Sequence, residues 1–418
     1  MQLDTGEGAL AGKAQELQTQ CPIDHGTWSK QKTARIAEPV DVPIECDAEG
    51  VWHVRGFAQA RAILRSRNTQ QAGFNADMIG SVPGMRNQPI LYQEGKTHDL
   101  QRKQTARFFT PRTVSTKYRL MMEQLSDQLI AELQRKKRLD LSQLTMKLSM
   151  RVTCEVVGLK NSRVPGIERR IYGFFTDSSS KKRQRFSHRL HTFTTRGLVL
   201  AFFFLDVKPA IQARKRHPQE DVISHLLEQH YNDTEILTEC LTYGAAGMVT
   251  TREFISAAAW HFLEHPALRA RYLAAAEEER HAMLEEVLRL EPVVGNILRR
   301  ATSDLAIESN GQQYVIPQGA LIDIRVHGTN ADESVVGEHP LELCPERTLK
   351  VERVAPSVIS FGDGHHRCPG SYIAIQETDI FLQRLLALDT LHIVQLPSLS
   401  WNDLVTGYEI RDFLVGVE

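Results

Sequence analysis

The ten residues Phe361-Gly362-Asp363-Gly364-His365-His366-Arg367-Cys368-Pro369-Gly370 set one cysteine among glycines, directly ahead of a helical pattern running from Ser371 to Leu388. A cysteine so placed meets a helix N-terminus, where free N–H groups and the dipole favour a thiolate. Gly362, Gly364 and Gly370 allow a tight loop whose backbone can approach a flat cofactor and donate to the sulfur. The chemistry such a loop suits is a haem iron held by one thiolate, which pushes electron density toward bound oxygen and favours O–O cleavage. The structural alternative is a buried, inert cysteine in a glycine turn.

At these residues the chain resembles the haem-thiolate monooxygenases, the cytochrome P450 family. The likeness continues through Ala374 and Glu377 and into four further motifs in the family's order. In His98-Asp99-Leu100-Gln101-Arg102 the spacing puts His98 and Arg102 on one helical face, and Phe108-Phe109-Thr110-Pro111 follows. Two donors on one face suit the two haem carboxylates, since an Arg fork binds a carboxylate bidentately.

The second motif lies in a long helical pattern from Glu235 to Leu263, which contains Gly244-Ala245-Ala246-Gly247-Met248-Val249-Thr250-Thr251. Two glycines inside a helix cost about 1 kcal/mol each against alanine, so they imply a close neighbour or a local opening. The resemblance implies that Ala246 and Gly247 leave room for dioxygen beside the haem and that Thr250 hydrogen-bonds it. The chain departs from the family at Val249, where an acid ordinarily precedes the threonine and relays protons. Three routes stay open: water with Thr250, assisted by Thr251 or Glu253; a group of the substrate; or hydrogen peroxide entering already protonated.

Glu286-Val287-Leu288-Arg289 is the family's E-x-x-R, two side chains at i and i+3 able to form a buried pair once a third partner completes it. The resemblance offers Arg353, eight residues ahead of Phe361, with Arg347 as competitor. Arg299, ahead of Ala301 and Asp304, resembles the family's carboxylate-binding arginine, and His366 completes that donor set. As cofactor-binding residues the resemblance therefore implies His98, Arg102, Ala246, Gly247, Arg299, Phe361, Gly362, His366, Cys368 and Gly370, with Cys368 on the iron of haem b (iron protoporphyrin IX). Thr250 and Thr251 are the catalytic candidates. Phe74, Met78, Ile79, Val82, Tyr243, Val294, Ile297 and Tyr408 are candidate substrate contacts.

These side chains need a large scaffold. The chain has 418 residues, 42% of them apolar, and no evident linker. Residues 1–35 are polar and lack sustained periodicity, which predicts a loose arm; residues 36–418 read as one domain. Short alternating runs at Ile44–Cys46 and Val51–Val54 around Asp47–Gly50 predict a hairpin, with a helix over Phe57–Arg65. Helices follow over 120–133, 141–157 and 221–229, and strands over 305–307, 314–316 and 321–326 around Asn310-Gly311 and Gln318-Gly319 turns. The expected fold class is mainly α (α+β), with the haem between the long helix and the cysteine loop and a smaller β-rich portion.

Formal charge is -1, which gives no global field for nucleic acid or an anionic membrane. Six cysteines without C-x-x-C spacing argue against a zinc cluster or disulfide framework and suit a cytoplasmic protein. No apolar run approaches the ~20 residues of a membrane span. The resemblance implies monooxygenation of a small hydrophobic or amphipathic molecule, with electrons from a separate ferredoxin or flavodoxin docking near Lys96, Arg102, Lys103 and Arg367. Two other readings are a peroxide-driven hydroxylase, motivated by Val249, and a non-catalytic haem sensor or carrier.

Overall fold

Apolar side chains sort into two buried cores, one helical and one lining a small sheet. The computed structural model describes residues 31–33, 42–74, 76, 85–175, 197–403 and 405–418. Strands β1 (Ile44–Cys46), β2 (Trp52–Val54), β3 (Thr69–Gln71), β4 (Asn296–Ala301) and β5 (Leu321–Arg325) form one sheet in the order β1-β2-β5-β4-β3. Only β2 and β5 run parallel, with Trp52 opposite Ile322. Helix α1 (Phe57–Arg65) turns Phe57, Ala60, Ile63 and Leu64 into the sheet's core. The predicted hairpin over 305–316 is present, its Asn310 and Gly311 both at positive φ (51° and 76°), as a tight two-residue turn requires.

The helical core is built by α2 (Gly95–Thr105), α3 (Arg119–Lys136), α4 (Leu141–Val157), α5 (Asp233–Gly244), α6 (Thr250–Glu264), α7 (Glu277–Leu290) and α8 (Ser371–Leu386). Local chemistry sets their ends. The Asp140 carboxylate accepts from Ser142 N (2.9 Å) at the start of α4, and Gly158 at φ 100° closes it. Such a cap is worth about 1 kcal/mol. At α5, Asn232 and Glu235 form a reciprocal capping box.

The sequence predicts one helix over 235–263; the structure breaks it into α5, a π-turn over Ala245–Val249, and α6. Wide turns of this kind cluster at functional sites. Gly247 lies in that turn against α4: a Cβ there would stand 2.5 Å from Thr153 Oγ1. Its missing side chain serves helix packing. This corrects the expectation that Gly247 makes room for dioxygen.

Glu286 and Arg289 form the expected pair, Arg289 Nε and Nη2 donating to the two Glu286 oxygens at 2.7 and 2.8 Å. The third partner is Arg347, whose Nε donates to Glu286 Oε1 at 3.0 Å. Arg353, proposed for this place from its spacing, is exposed on a turn at φ 58°. Spacing misled because residues 343–347 fold back onto α7, where Cys344 N also donates to Glu286 (2.9 Å). The remaining Arg289 and Arg347 N–H groups find carbonyls, among them Asn330, Pro340, Glu342 and Val336. A buried ion pair is tolerable only when its donors are satisfied in this way.

The last hairpin, β6 (Ser398–Asn402) with β7 (Gly407–Arg411), lays its tip on the segment that leads into β4. Gly295 N donates to Thr406 O (3.1 Å), and a Cβ on Gly407 would collide with the Val293 carbonyl oxygen. Residues 31–33, expected in the loose arm, are docked: Lys32 N and Thr33 N donate to Glu291 (2.6 and 3.0 Å), as does the Thr33 hydroxyl. His261 Nε2 completes that buried carboxylate at 2.9 Å. The rest of the predicted arm and the basic run Ser178–Arg185 lie outside the described residues. Among the described residues no helix is long and apolar enough to cross a membrane.

Candidate active site

The cysteine loop is built as its glycines suggest, with Gly362 and Gly364 at φ 69° and 67°. Asp363 caps the short turn Gly364–His366 and is held from α1 by Arg65 Nε (3.0 Å) and Arg61 Nε (3.3 Å). Cys368 N donates to Phe361 O (2.8 Å), and the partly buried Phe361 packs against the helical core. Cys368 is half-buried at the foot of α8. Burial pushes its thiol above the usual value, although the Gly370 N–H and the guanidiniums of Arg102 and Arg367 pull it down. The helix end does not by itself preform a thiolate, contrary to the expectation; a coordinated metal deprotonates a thiol outright.

Helix α6 packs against α8, the helix that follows the loop. Residues 251–259 are all buried, whereas Ala246 is exposed and Thr250 half-exposed. These two side chains therefore face open space. Thr250 Oγ1 donates to Ala246 O, so its proton is engaged along the helix. Thr251 is buried and turns toward α8 instead.

Three of the predicted carboxylate-binding donors, His98, Arg299 and His366, assemble around Glu94. His98 is buried on α2 and stacks on His366, ring centroids 4.2 Å apart. Burial, reinforced by the charges of His366 and Arg102, holds His98 at about 4, a neutral imidazole. Arg299, 2% exposed on β4, donates through Nη2 to Glu94 Oε1 at 3.0 Å. Glu94 Oε2 takes His366 Nε2 at 3.0 Å and lies 3.4 Å from His365 Nε2. Burial pushes the Glu94 carboxyl up, but the His366 hydrogen bond and the Arg299 charge outweigh it and hold it at about 2. A carboxylate is thus already seated among these donors, a chemistry that the carboxylates of a haem share. Arg102 departs from this cluster: its Nη2 donates to Arg367 O, beside Cys368.

Sequence reasoning missed Glu94 and His365. Glu94 stands four residues before His98 in ordinary polar text, and only the docking of β4 against β3 reveals its partners.

The proposed substrate contacts separate. Phe74, at φ 56°, offers its carbonyl to Tyr92 OH (2.7 Å). Tyr243 of α5 stacks on Phe109, in the turn that follows α2, with ring centroids 6.1 Å apart. Val294 is half-buried beside the tip of the last hairpin, and Ile297 packs its apolar surface on the sheet core. Tyr408 is fully buried with its hydroxyl on Glu291 O (3.1 Å), so it is a core residue and that expectation is corrected. Met78, Ile79 and Val82 lie outside the described residues.

Two acids of α5 hold the segment preceding α2. Glu235 accepts from Arg86 N (2.8 Å) and Asn87 N (2.7 Å); Glu239 accepts from Ile90 N and Gln101 Nε2, both at 2.9 Å. Burial pushes the Glu239 carboxyl up to about 7 against those two hydrogen bonds. Three buried acceptors nearby or on these side chains lack a donor, Glu239 Oε2, Gln101 Oε1 and Gln93 Oε1, which suits a proton on Glu239. Releasing residues 86–90 into water returns Glu239 to the ordinary carboxylate range. Because its value is raised in the clasped form, the clasp is fully supported below that range and loses support as pH rises through about 7, by at most on the order of 3 kcal/mol. Ligand affinity measured from the haem spectrum is expected to change between about pH 5 and about pH 7.5. In Glu239→Gln that dependence should flatten.

The cytochrome P450 family model matches residues 280–396, which include Glu286, Arg299 and Cys368. The chain is 26% identical to the biotin biosynthesis cytochrome P450 of Bacillus subtilis (strain 168) over 365 residues, 85% of this chain and 86% of that protein. It is 25% identical to the erythromycin C-12 hydroxylase of Saccharopolyspora erythraea, over 82% of this chain and 83% of that one. Among solved structures, P450BioI in complex with hexadec-9Z-enoic acid ligated acyl carrier protein superposes with a TM-score of 0.73 at 24% identity, covering 90% of this chain and 95% of that chain. CalO2 superposes at 0.74 and 20% identity, covering 90% and 93%. The cysteine loop, the completed Glu286 pair and these likenesses agree: the chain has the fold of the cytochromes P450, carries that family's sequence pattern over residues 280–396, and is similar to bacterial cytochromes P450 over most of its length.

Proposed function

We propose that this chain inserts one oxygen atom of dioxygen into a small hydrophobic or amphipathic organic molecule, with electrons from a separate ferredoxin or flavodoxin. The observation that carries this reading is that Ala246 and Thr250 face open space while residues 251–259 of α6 are buried; the reading places a slot between these two side chains and the half-buried Cys368. Haem b bound there supplies the oxygen-activating chemistry. Cys368 would be its thiolate ligand, and His98, His366 and Arg299 would hold its carboxylates, with Phe361, Gly362 and Gly370 shaping the loop beneath it. Arg102, beside Cys368, sets positive charge on the thiolate side. Val294, Tyr243 and Phe74 are the described candidates for substrate contact.

The similarity to P450BioI, crystallised in complex with hexadec-9Z-enoic acid ligated acyl carrier protein, and to an erythromycin C-12 hydroxylase supports a largely apolar substrate. Exposed Lys96, Lys103 and Arg367 form a basic rim near Cys368 that suits an acidic electron donor. A single domain over residues 36–418, working in the reducing cytoplasm, fits the free cysteines.

Val249 favours a second reading, turnover driven by hydrogen peroxide. It is 2% exposed and carries no proton to the slot. The test is a screen for ligands that shift the ferric haem absorption, followed by product analysis with a ferredoxin or flavodoxin system and, separately, with hydrogen peroxide. Product formed only with peroxide selects the second reading, and no product from any spectral ligand with either oxidant refutes both.

A further inference from the structure

Between α1 and residues 334–351 lies an open groove of about 560 Å³, within the ~300–1,000 Å³ of clefts that hold small molecules. Ala58 and Ala62, one turn apart on α1, line one side, and Val335 and Val351 line the other. Both alanines are exposed, so no bulky side chain fills the space between. The walls are tied in place. Phe57 N donates to Asp332 Oδ2 (2.8 Å) at the start of α1, and Lys350 N donates to Val335 O (2.7 Å) within the far wall. The groove is therefore preformed, and most of its lining is apolar.

Its α1 rim is cationic. Arg61 and Arg65 also line the groove, and both reach toward Asp363. Arg65 grips that carboxylate with two donors, Nε to Oδ2 at 3.0 Å and Nη2 to Oδ1 at 3.2 Å. Arg61 is the cation left over: its buried Nε lies 3.3 Å from Asp363 Oδ2 yet has no hydrogen-bond partner, and its guanidinium rests 5.6 Å over the Phe57 ring. Two guanidiniums thus share one carboxylate, which leaves a positive charge at the edge of an apolar trough. Glu333 and Glu352 adjoin the opposite wall in sequence without lining it, so an anion in the groove is drawn to the α1 side.

We propose that this groove reversibly binds a free medium-chain alkyl carboxylate, its head on Arg61 and its chain along Ala58, Ala62, Val335 and Val351. A guanidinium fork matches a carboxylate, and each methylene the trough buries raises affinity by about fourfold. A neutral alcohol of the same length keeps the apolar gain and loses the charged contact; an alkyl cation meets repulsion from both arginines. The site goes beyond the monooxygenase reading and does not rest on it, because none of its lining residues belongs to the proposed haem slot. It reaches the cysteine loop through one side chain: Asp363, which caps the turn Gly364–His366, is the carboxylate that Arg61 and Arg65 share.

The test titrates haem-loaded protein with decanoate, decanol and decyltrimethylammonium, each below its micelle concentration, following the heat of binding and the ferric haem absorption together. Decanoate should bind at the groove at least about 10-fold more tightly than decanol, and the quaternary ammonium should not bind there. A carboxylate that enters the haem pocket announces itself in the absorption; the groove should give a binding event seen in the heat alone. Ala62→Phe, at an exposed position, fills the trough and should remove that event while the haem absorption and the unfolding midpoint stay as in the wild type. Arg61→Gln, which leaves the Arg65–Asp363 pair in place, should weaken it by about 10-fold. Should Arg61→Gln fold poorly, Ala58→Phe and Ala62→Phe decide the matter. Heat that only tracks the absorption change, equal affinity for decanoate and decanol, or a heat-only event that survives both alanine replacements overturns the proposal. Absence of the thiolate-type band from the wild-type ferrous carbon monoxide complex would instead defeat the monooxygenase reading, since binding at the groove needs no iron.

Discussion

Cys368→Ala protein is expected to fold, to lose the red-shifted ferrous carbon monoxide band, and to lose oxygenation by about 10³-fold or more, ~4 kcal/mol of transition-state stabilisation. The fold should survive because the loop does not depend on the sulfur. Cys368 N still donates to Phe361 O, Asp363 is still held by Arg61 and Arg65, and the side chain is only half-buried, so its removal leaves little cavity. The spectrum should change because no other described cysteine lies on this loop: Cys154, Cys240 and Cys344 are buried elsewhere and Cys46 is on the first hairpin. Retention of the band in Cys368→Ala would contradict the assignment of the iron ligand.

A contrast between two arginines should be nearly as large, in stability rather than chemistry. Arg347→Ala removes one cation from a buried carboxylate and leaves several carbonyls, including Val336, His339 and Glu342, without their donor. Breaking a buried pair in this way costs about 3–5 kcal/mol, a large share of a typical domain's stability. Soluble, haem-loaded Arg347→Ala is therefore expected in low yield with a lowered unfolding midpoint. Arg353→Ala, on an exposed turn, should stay within about 0.5 kcal/mol of the wild type. Parallel denaturation curves decide the matter, and equal losses in the two variants would mean the Glu286 network is not what secures this region.

How much could be read without the structure follows from how local each signal is. Asn310-Gly311 names its own turn, and Gly362, Gly364 and Cys368 name their own loop, because the information sits within a few residues. Arg353 was preferred to Arg347 on spacing, yet the choice depends on how residues 343–347 return to α7, a contact between segments some sixty residues apart. Gly247 was read for what it gives the slot, whereas its partner Thr153 belongs to α4, far away in the chain. Glu94 carries no local mark at all. It is an acid in polar text, and only its pairing with Arg299 and His366 separates it from the chain's other acidic residues.

The close seating of Gly295 and Gly407 bears on any attempt to retarget the enzyme. The segment leading into β4 and the terminal hairpin are stitched from backbone to backbone with no side chain between, so any residue larger than glycine at 407 would force the hairpin off that segment. Directed evolution for new products should therefore hold both glycines fixed and spend its diversity on neighbouring side chains such as Val294, the proposed substrate contact, where a change of bulk need not prise the hairpin away.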